Sequence, residues 1–230
     1  MRRAVRLRGA VPEVPAGAVP RAGRAGGAQE ARPAGAIRRV RWLTGRGATA
    51  ALAVGLATIW GLGWRGFVLL LAFFISSSLL TTAAKGGGRN ARQVVANGGV
   101  AALAALAGSW IVFAGALAAA TADTWATEIG RHSPIAPRLI TNGRRVAPGT
   151  DGGMTLLGTA GGIVGAGFIA GLSYVFGQRG ALVIAAAGVA GMLVDSLLGA
   201  TVQGNVRWVD NDAVNLAATL TGAACAGLIA

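Results

Sequence analysis

Acid is scarce in this sequence. Asp and Glu account for eight of 230 residues, against 21 Lys and Arg. Charged residues make up 13% of the chain, about half the share of an ordinary soluble domain, which argues against a soluble fold. The single cysteine, Cys225, excludes an internal disulfide and reads as a small packing residue in an apolar segment. The single histidine, His132, follows Arg131 in a polar stretch and reads as a surface residue. Residues 1–40 contain no apolar core, so no cleavable signal peptide is expected. The basic tail lacks stacking aromatics and any recognition motif, so nucleic acid is not an expected partner.

What is present is apolar. Hydrophobic residues make up 53% of the chain, and mean hydropathy is +0.59. Long apolar runs repeat from about residue 47 to the C-terminus without two-residue alternation, which excludes a β-barrel. The expected fold is all-α: a polytopic membrane protein of about seven transmembrane helices, with Gly/Ala-rich packing and polar loops on the cytoplasmic face. Residues 1–46 are expected to form a disordered basic tail, broken by Pro12, Pro15, Pro20 and Pro33, with at most a short surface helix over 37–42. Residues 47–230 are then expected to form the transmembrane helical domain.

The expected helices cover 47–62, 66–82, 93–107, 110–128, 153–176, 181–200 and 212–228. Residues 94–129 are too long for one crossing of about 20 residues, and Gly108-Ser109-Trp110 is the natural break. With seven crossings, Lys85, Arg89, Arg92, Arg131, Arg138, Arg144, Arg145 and Arg207 fall on the side of the basic tail, and Arg65 and Arg179 on the other. The positive-inside rule makes the first side cytoplasmic. Trp42, Trp60, Trp64, Trp110 and Trp208 stand at segment ends, as an interfacial belt requires. Arg outnumbers Lys twenty to one, a composition suggestive of a GC-rich prokaryote, so a prokaryotic plasma membrane is the expected location.

Two of the eight acids, Glu13 and Glu30, lie in the tail. The other six, Asp123, Glu128, Asp151, Asp195, Asp210 and Asp212, lie in or beside apolar segments. Each such charge costs roughly 2.5–3.5 kcal/mol on insertion scales, so intramembrane acids are functional candidates by default. Asp123 and Glu128 lie about 140° apart on an ideal helix at about 100° per residue, and share a site only across a helix end. Asp123 and Thr127 share a face. Hard oxygen ligands of this kind suit Mg²⁺, which takes one or two carboxylates plus substrate phosphates. A salt bridge to Arg131 or Arg138 is the structural alternative.

Pro148-Gly149-Thr150-Asp151-Gly152-Gly153 leads into a Gly-rich helix. Its backbone N–H groups suit a phosphate, and Asp151 also suits a helix cap. Lys85 and Arg89 flank a glycine run that suits phosphate contact but does not match a P-loop. Gln93 and Asn97 share a face and suit either a ligand or a helix–helix hydrogen bond. Asp195 needs a partner or a metal, with Arg207 as the structural alternative, and Gly199 permits close approach one turn away. Asp212 reads as the cap of the last helix. Asn211 and Asn215 share a face there and are further candidates. Trp125, inside the acidic stretch, is placed to pack on substrate. The glycines of 158–171 signal close helix packing.

ADTWATEIG, PGTDGG, DSLLGAT and ARQVVANGG occur together over about residues 42–228. Together they resemble the transmembrane-protein-nineteen-like family, long catalogued as a domain of unknown function, which includes the plant phytyl-phosphate kinase. That resemblance implies a kinase converting an isoprenyl monophosphate, such as phytyl or geranylgeranyl phosphate, to the diphosphate. It implies a nucleoside triphosphate donor, with CTP a candidate. Asp123 and Glu128 match the family's acidic motif, Asp151 its glycine-rich loop and Asp195 its later helix acid. The expected arrangement is Mg²⁺ on Asp123, Glu128 and Asp195, with Lys85, Arg89, Arg131, Thr127, Asn97, Gly149, Thr150, Gly152, Gly153, Asn211 and Asn215 around the phosphates and lipid. A membrane cytidylyltransferase has a similar motif order, and a small transporter is the alternative from another class.

Overall fold

The computed structural model describes residues 42–82 and 88–230. The expectations for residues 1–41 and for Lys85 lie outside them. Six helices dominate the described residues: α1 (Gly45–Thr82), α2 (Ala91–Leu106), α3 (Trp110–Gly130), α4 (Leu156–Val175), α5 (Ala181–Thr201) and α6 (Asn211–Ile229). Among the described residues, four segments are long and apolar enough to cross a membrane: Gly45–Thr81, Leu156–Val175, Ala181–Thr201 and Asn211–Ile229.

At about 1.5 Å per residue, a straight α1 of 38 residues would reach about 57 Å, far more than the roughly 30 Å of hydrocarbon in a bilayer. It folds at Gly63, whose φ of 67° and ψ of −162° are not helical. The limbs 45–62 and 64–82 return against each other, with Gly66 facing Thr58 and Gly55 facing Phe67. Gly108 (φ 70°) separates α2 from α3, at the break expected from the sequence.

The loops divide between two faces. On one, Leu43 pairs with Arg89, Arg92 bridges to Asp210 at 2.7 Å, and Gly152 abuts Ser196 and Ala200. On the other, Arg65 donates to the Phe176 carbonyl at 3.4 Å, and Trp64 and Trp110 meet Phe176 edge-on at 5.9 and 6.1 Å. Nearly all of the polar loop sequence lies on the first face.

α3 is the axis. Every residue from Phe113 to Ala122 is buried, and α3 packs against all five other helices. Apolar side chains gain little by leaving lipid for one another, so close backbone packing of small residues holds such helices together. α4 supplies Gly158, Gly161, Gly162 and Gly165 toward α3. A Cβ on Gly162 would crowd Met192, the Ala122 carbonyl and Ala126, and one on Gly165 would meet Trp125. Gly188 and Gly191 of α5 press on Ala118 and Ala119, and Gly222 of α6 on Gly115. Gly167 and Gly171 face open space, so only part of the 158–171 run serves packing.

The fold is not purely helical. β1 (Arg138–Leu139) pairs antiparallel with β2 (Gly153–Met154), folding the loop between α3 and α4 on itself. The expected helix start at 153 is therefore a strand. α4 begins at Leu156, where the Thr155 hydroxyl accepts from the Gly158 N–H at 2.9 Å. Asp151 is not its cap. Likewise Asp210, not Asp212, caps α6, accepting from the Ala213 N–H at 3.1 Å.

Gly162→Leu should destabilise the protein by about 1–3 kcal/mol through overpacking, read as a lower thermal midpoint in detergent. Gly167→Leu should leave the midpoint unchanged. Equal midpoints for the two variants would contradict this packing.

Candidate functional site

A cleft of about 520 Å³ opens on the polar face where α3 ends, α4 begins and α5 ends. α3 contributes Asp123 and Thr127, with Arg131 just beyond its end. The loop contributes Gly149, Thr150, Asp151, Gly152 and Gly153, α5 contributes Asp195, and α6 contributes Asn211. Three segments remote in sequence thus bring three of the scarce acids to one place.

The carboxyl groups of Asp123 and Asp195 face each other at hydrogen-bonding range. Asp195 Oδ2 is buried and accepts no hydrogen bond among the described residues. The charge of Asp151 also reaches Asp195. Carboxylates this close repel unless a proton or a cation lies between them. An orphaned, buried acceptor in such a pair fits a hard cation that takes its remaining ligands from phosphate or water.

The expected three-carboxylate set is corrected. Among the described residues, no three His, Cys, Asp or Glu side chains gather into a metal-binding group. α3 continues unbroken to Gly130, so Glu128 stays about 140° around the helix from Asp123. Glu128 is buried and accepts from Arg131 at 2.9 Å, the alternative weighed from the sequence. Arg131 itself still lines the cleft.

Arg89 and Asn97 do not line this cleft; they line a separate apolar slot. Asn97 donates to the Gln93 carbonyl within its own helix at 3.0 Å, and Gln93 forms a reciprocal cap with Asn90. Asn215 is not among the residues lining the cleft. Trp125 stacks on Phe168 at 5.6 Å inside the bundle and is absent from the cleft wall. His132 is exposed, as expected.

Other lining residues escaped the sequence reading: Thr155, Thr159, Ser196 and Gln203, with Ser133 to Pro137 forming a lip. Thr155 and Thr159 carried a usable signal, being hydroxyl residues four apart at the start of a glycine-rich helix. The glycine turn is held rigidly. Thr150 donates through N–H and hydroxyl to the Ala147 carbonyl at 3.2 and 2.8 Å. Gly152, at φ 71°, lies where any Cβ would collide with α5. The close approach expected at Gly199 is to this turn, whose Gly152 nitrogen lies 3.0 Å from where a Gly199 Cβ would be.

Arg92 anchors the start of α6, reaching Asp210 at 2.7 Å and Asp212 at 3.6 Å. The Ala213 N–H, and then Arg92, hold the Asp210 carboxyl below its ordinary pKa. A depressed folded-state pKa stabilises above the unfolded value of about 3.9 and ceases to do so as pH falls through the folded value. Asp210→Asn keeps a capping side chain, so it should lower the thermal midpoint at pH 7, with the gap to wild type closing below about pH 4. A gap independent of pH would show that the charge contributes nothing.

Residues 33–223 match the sequence family described as integral membrane protein DUF92. An uncharacterized membrane protein of Methanocaldococcus jannaschii is 35% identical over 203 residues, covering 81% of this chain and 85% of that protein. Protein PGR of Arabidopsis thaliana is 40% identical over 104 residues, covering 39% of this chain and 36% of that protein. No solved structure matches.

Proposed function

The chain belongs to the integral membrane protein DUF92 family, and we propose that it is a membrane-embedded kinase. It transfers the terminal phosphoryl group of a nucleoside triphosphate, CTP being a candidate, to an isoprenyl monophosphate such as phytyl or geranylgeranyl phosphate. The observation that carries this reading is the cleft in which Asp123, Asp151 and Asp195 meet the glycine turn. The resemblance of its motifs to the transmembrane-protein-nineteen-like family supplies the substrate class.

In this reading both limbs of α1 and each of α2 to α6 cross the bilayer once, making seven crossings. The polar face is cytoplasmic by the positive-inside rule, so the cleft meets soluble nucleotide and inner-leaflet lipid together. Asp123 and Asp195 would hold Mg²⁺, which neutralises phosphate charge and aligns the reacting groups when bound. Thr127, Arg131 and the backbone of 149–153 hold the phosphates. An oxygen of the acceptor monophosphate attacks the γ-phosphorus. The bond from that phosphorus to the β–γ bridging oxygen breaks, and the nucleoside diphosphate leaves with the electron pair. The acceptor is largely ionised near neutral pH, so positioning and charge neutralisation suffice and no histidine base is needed.

The test is purified protein with Mg²⁺, each of four nucleoside triphosphates and phytyl or geranylgeranyl phosphate, with lipid and nucleotide products read by mass spectrometry. Isoprenyl diphosphate and nucleoside diphosphate are expected. Pyrophosphate release would assign the cleft to cytidylyl transfer instead, and solute flux into sealed liposomes without nucleotide would favour a transporter. Asp123→Asn and Asp195→Asn should each lower turnover on the order of 10³-fold, with the protein still folded in detergent. Full activity in either variant would remove the cleft from the chemistry.

A further inference from the structure

The second cavity, about 270 Å³, lies on another side of the bundle, between the limbs of α1 and the start of α2. Its walls are almost wholly apolar, with Leu52, Leu56, Phe67 and Leu70 among them. Leu52 and Leu56 are more than half exposed, so the slot opens sideways, where a bilayer presents hydrocarbon. Along the first limb it runs from Ala51 to Ile59, about 12 Å at 1.5 Å per residue. That is close to one leaflet of a hydrocarbon core roughly 30 Å thick.

The end nearest the polar face is different. There the slot is lined by Arg89, Gln93 and Asn97. Arg89 is fixed by its backbone: its N–H donates to the Trp42 carbonyl at 2.9 Å, and its carbonyl accepts from the Thr44 N–H at 3.0 Å. Its guanidinium donates to the Ser78 hydroxyl at 3.1 Å and lies 5.9 Å from the centre of the Phe74 ring. A guanidinium carries five donors suited to carboxylate or phosphate. Among the described residues no carboxylate lies within salt-bridge distance of Arg89, and Glu128 is engaged by Arg131. Burial disfavours the charge of Arg89, and the negative charge of Glu128 partly restores it. A half-buried cation at the head of a one-leaflet apolar slot is complementary to an amphiphile with one chain and an anionic head.

We infer that the slot between the α1 limbs and α2 binds a single-chain lipid phosphate from the bilayer, its phosphate on Arg89 and its chain along Leu52, Leu56 and Phe67. This site is separate from the acidic cleft and does not depend on the chemistry assigned there. The test is native mass spectrometry of the delipidated full chain titrated with farnesyl phosphate, farnesol or inorganic phosphate. Farnesyl phosphate should bind at least tenfold more tightly than either of the others. Arg89→Gln should abolish that preference over farnesol. Gly55→Leu, which fills the slot against Phe67, should weaken both lipids at least tenfold. Asp123→Asn should leave binding at this slot unchanged, so a failure of the phosphoryl-transfer reading would not appear as a failure here. Equal binding of farnesol by the wild-type protein would overturn the role of Arg89, and equal binding of inorganic phosphate would overturn the role of the slot. Loss of farnesyl phosphate binding in Asp123→Asn alone would place the lipid in the cleft. A dimer that forms in place of lipid binding would make the slot a subunit interface.

Discussion

Backbone-distance packing around α3 is the constraint from which the rest follows. A helix enclosed on all sides within a membrane gains little from burying large apolar groups, since lipid offers them the same environment. Its neighbours are held by contact, and contact at this range requires hydrogen or methyl where side chains would stand. Gly158, Gly161, Gly162 and Gly165 of α4 and Gly188 and Gly191 of α5 meet that requirement against α3, some at its alanines and others at Trp125 and Ile129. Close approach sets the separation of α3 from α5, and with it the distance between Asp123 and Asp195.

That distance turns a packing arrangement into a chemical one. Two carboxylates at the ends of apolar helices are each costly, and facing each other they are costlier still without a proton or a cation. The fold does not relieve the cost with an arginine. Arg131 bridges to Glu128 and not to this pair, and Arg92 bridges to the start of α6. The Asp123–Asp195 pair keeps a buried, unpartnered oxygen beside a turn of glycines at a cleft open to the polar face. In the reading proposed here, that oxygen and the glycine turn are where a cation and phosphates would sit.

The unbroken course of α3 also separates two compartments. Asp123 looks toward α5 and the acidic cleft, while Glu128, further around the same helix, is engaged by Arg131 and lies near enough for its charge to reach Arg89. One side of the bundle therefore collects negative charge beside glycine backbone. The other places a single cation at the head of an apolar slot. The cleft opens on the polar face and the slot has its Arg89 end near it, and both rely on short tethers, Gly152 against α5 in one case and Arg89 against Trp42 and Thr44 in the other.

The sequence by itself determined what depends on neighbours along the chain. The break at Gly108 was legible because a 36-residue apolar run exceeds one crossing and glycine alone adopts the turn without strain. The acids of ADTWATEIG, PGTDGG and DSLLGAT stood out because charge is rare and expensive in such a chain. Tertiary structure decided which of those groups meet. Periodicity reports the face of a helix that a residue occupies, not which neighbour covers it, so Glu128 and Arg89 were assigned to a cleft they do not line. Cap assignments at Asp151 and Asp212 failed for a related reason. Several oxygen-bearing residues precede each helix, and the pairing of 138–139 with 153–154 and the pull of Arg92 selected Thr155 and Asp210. Local chemistry restricts the candidates, but only contacts between segments distant in sequence can choose among them.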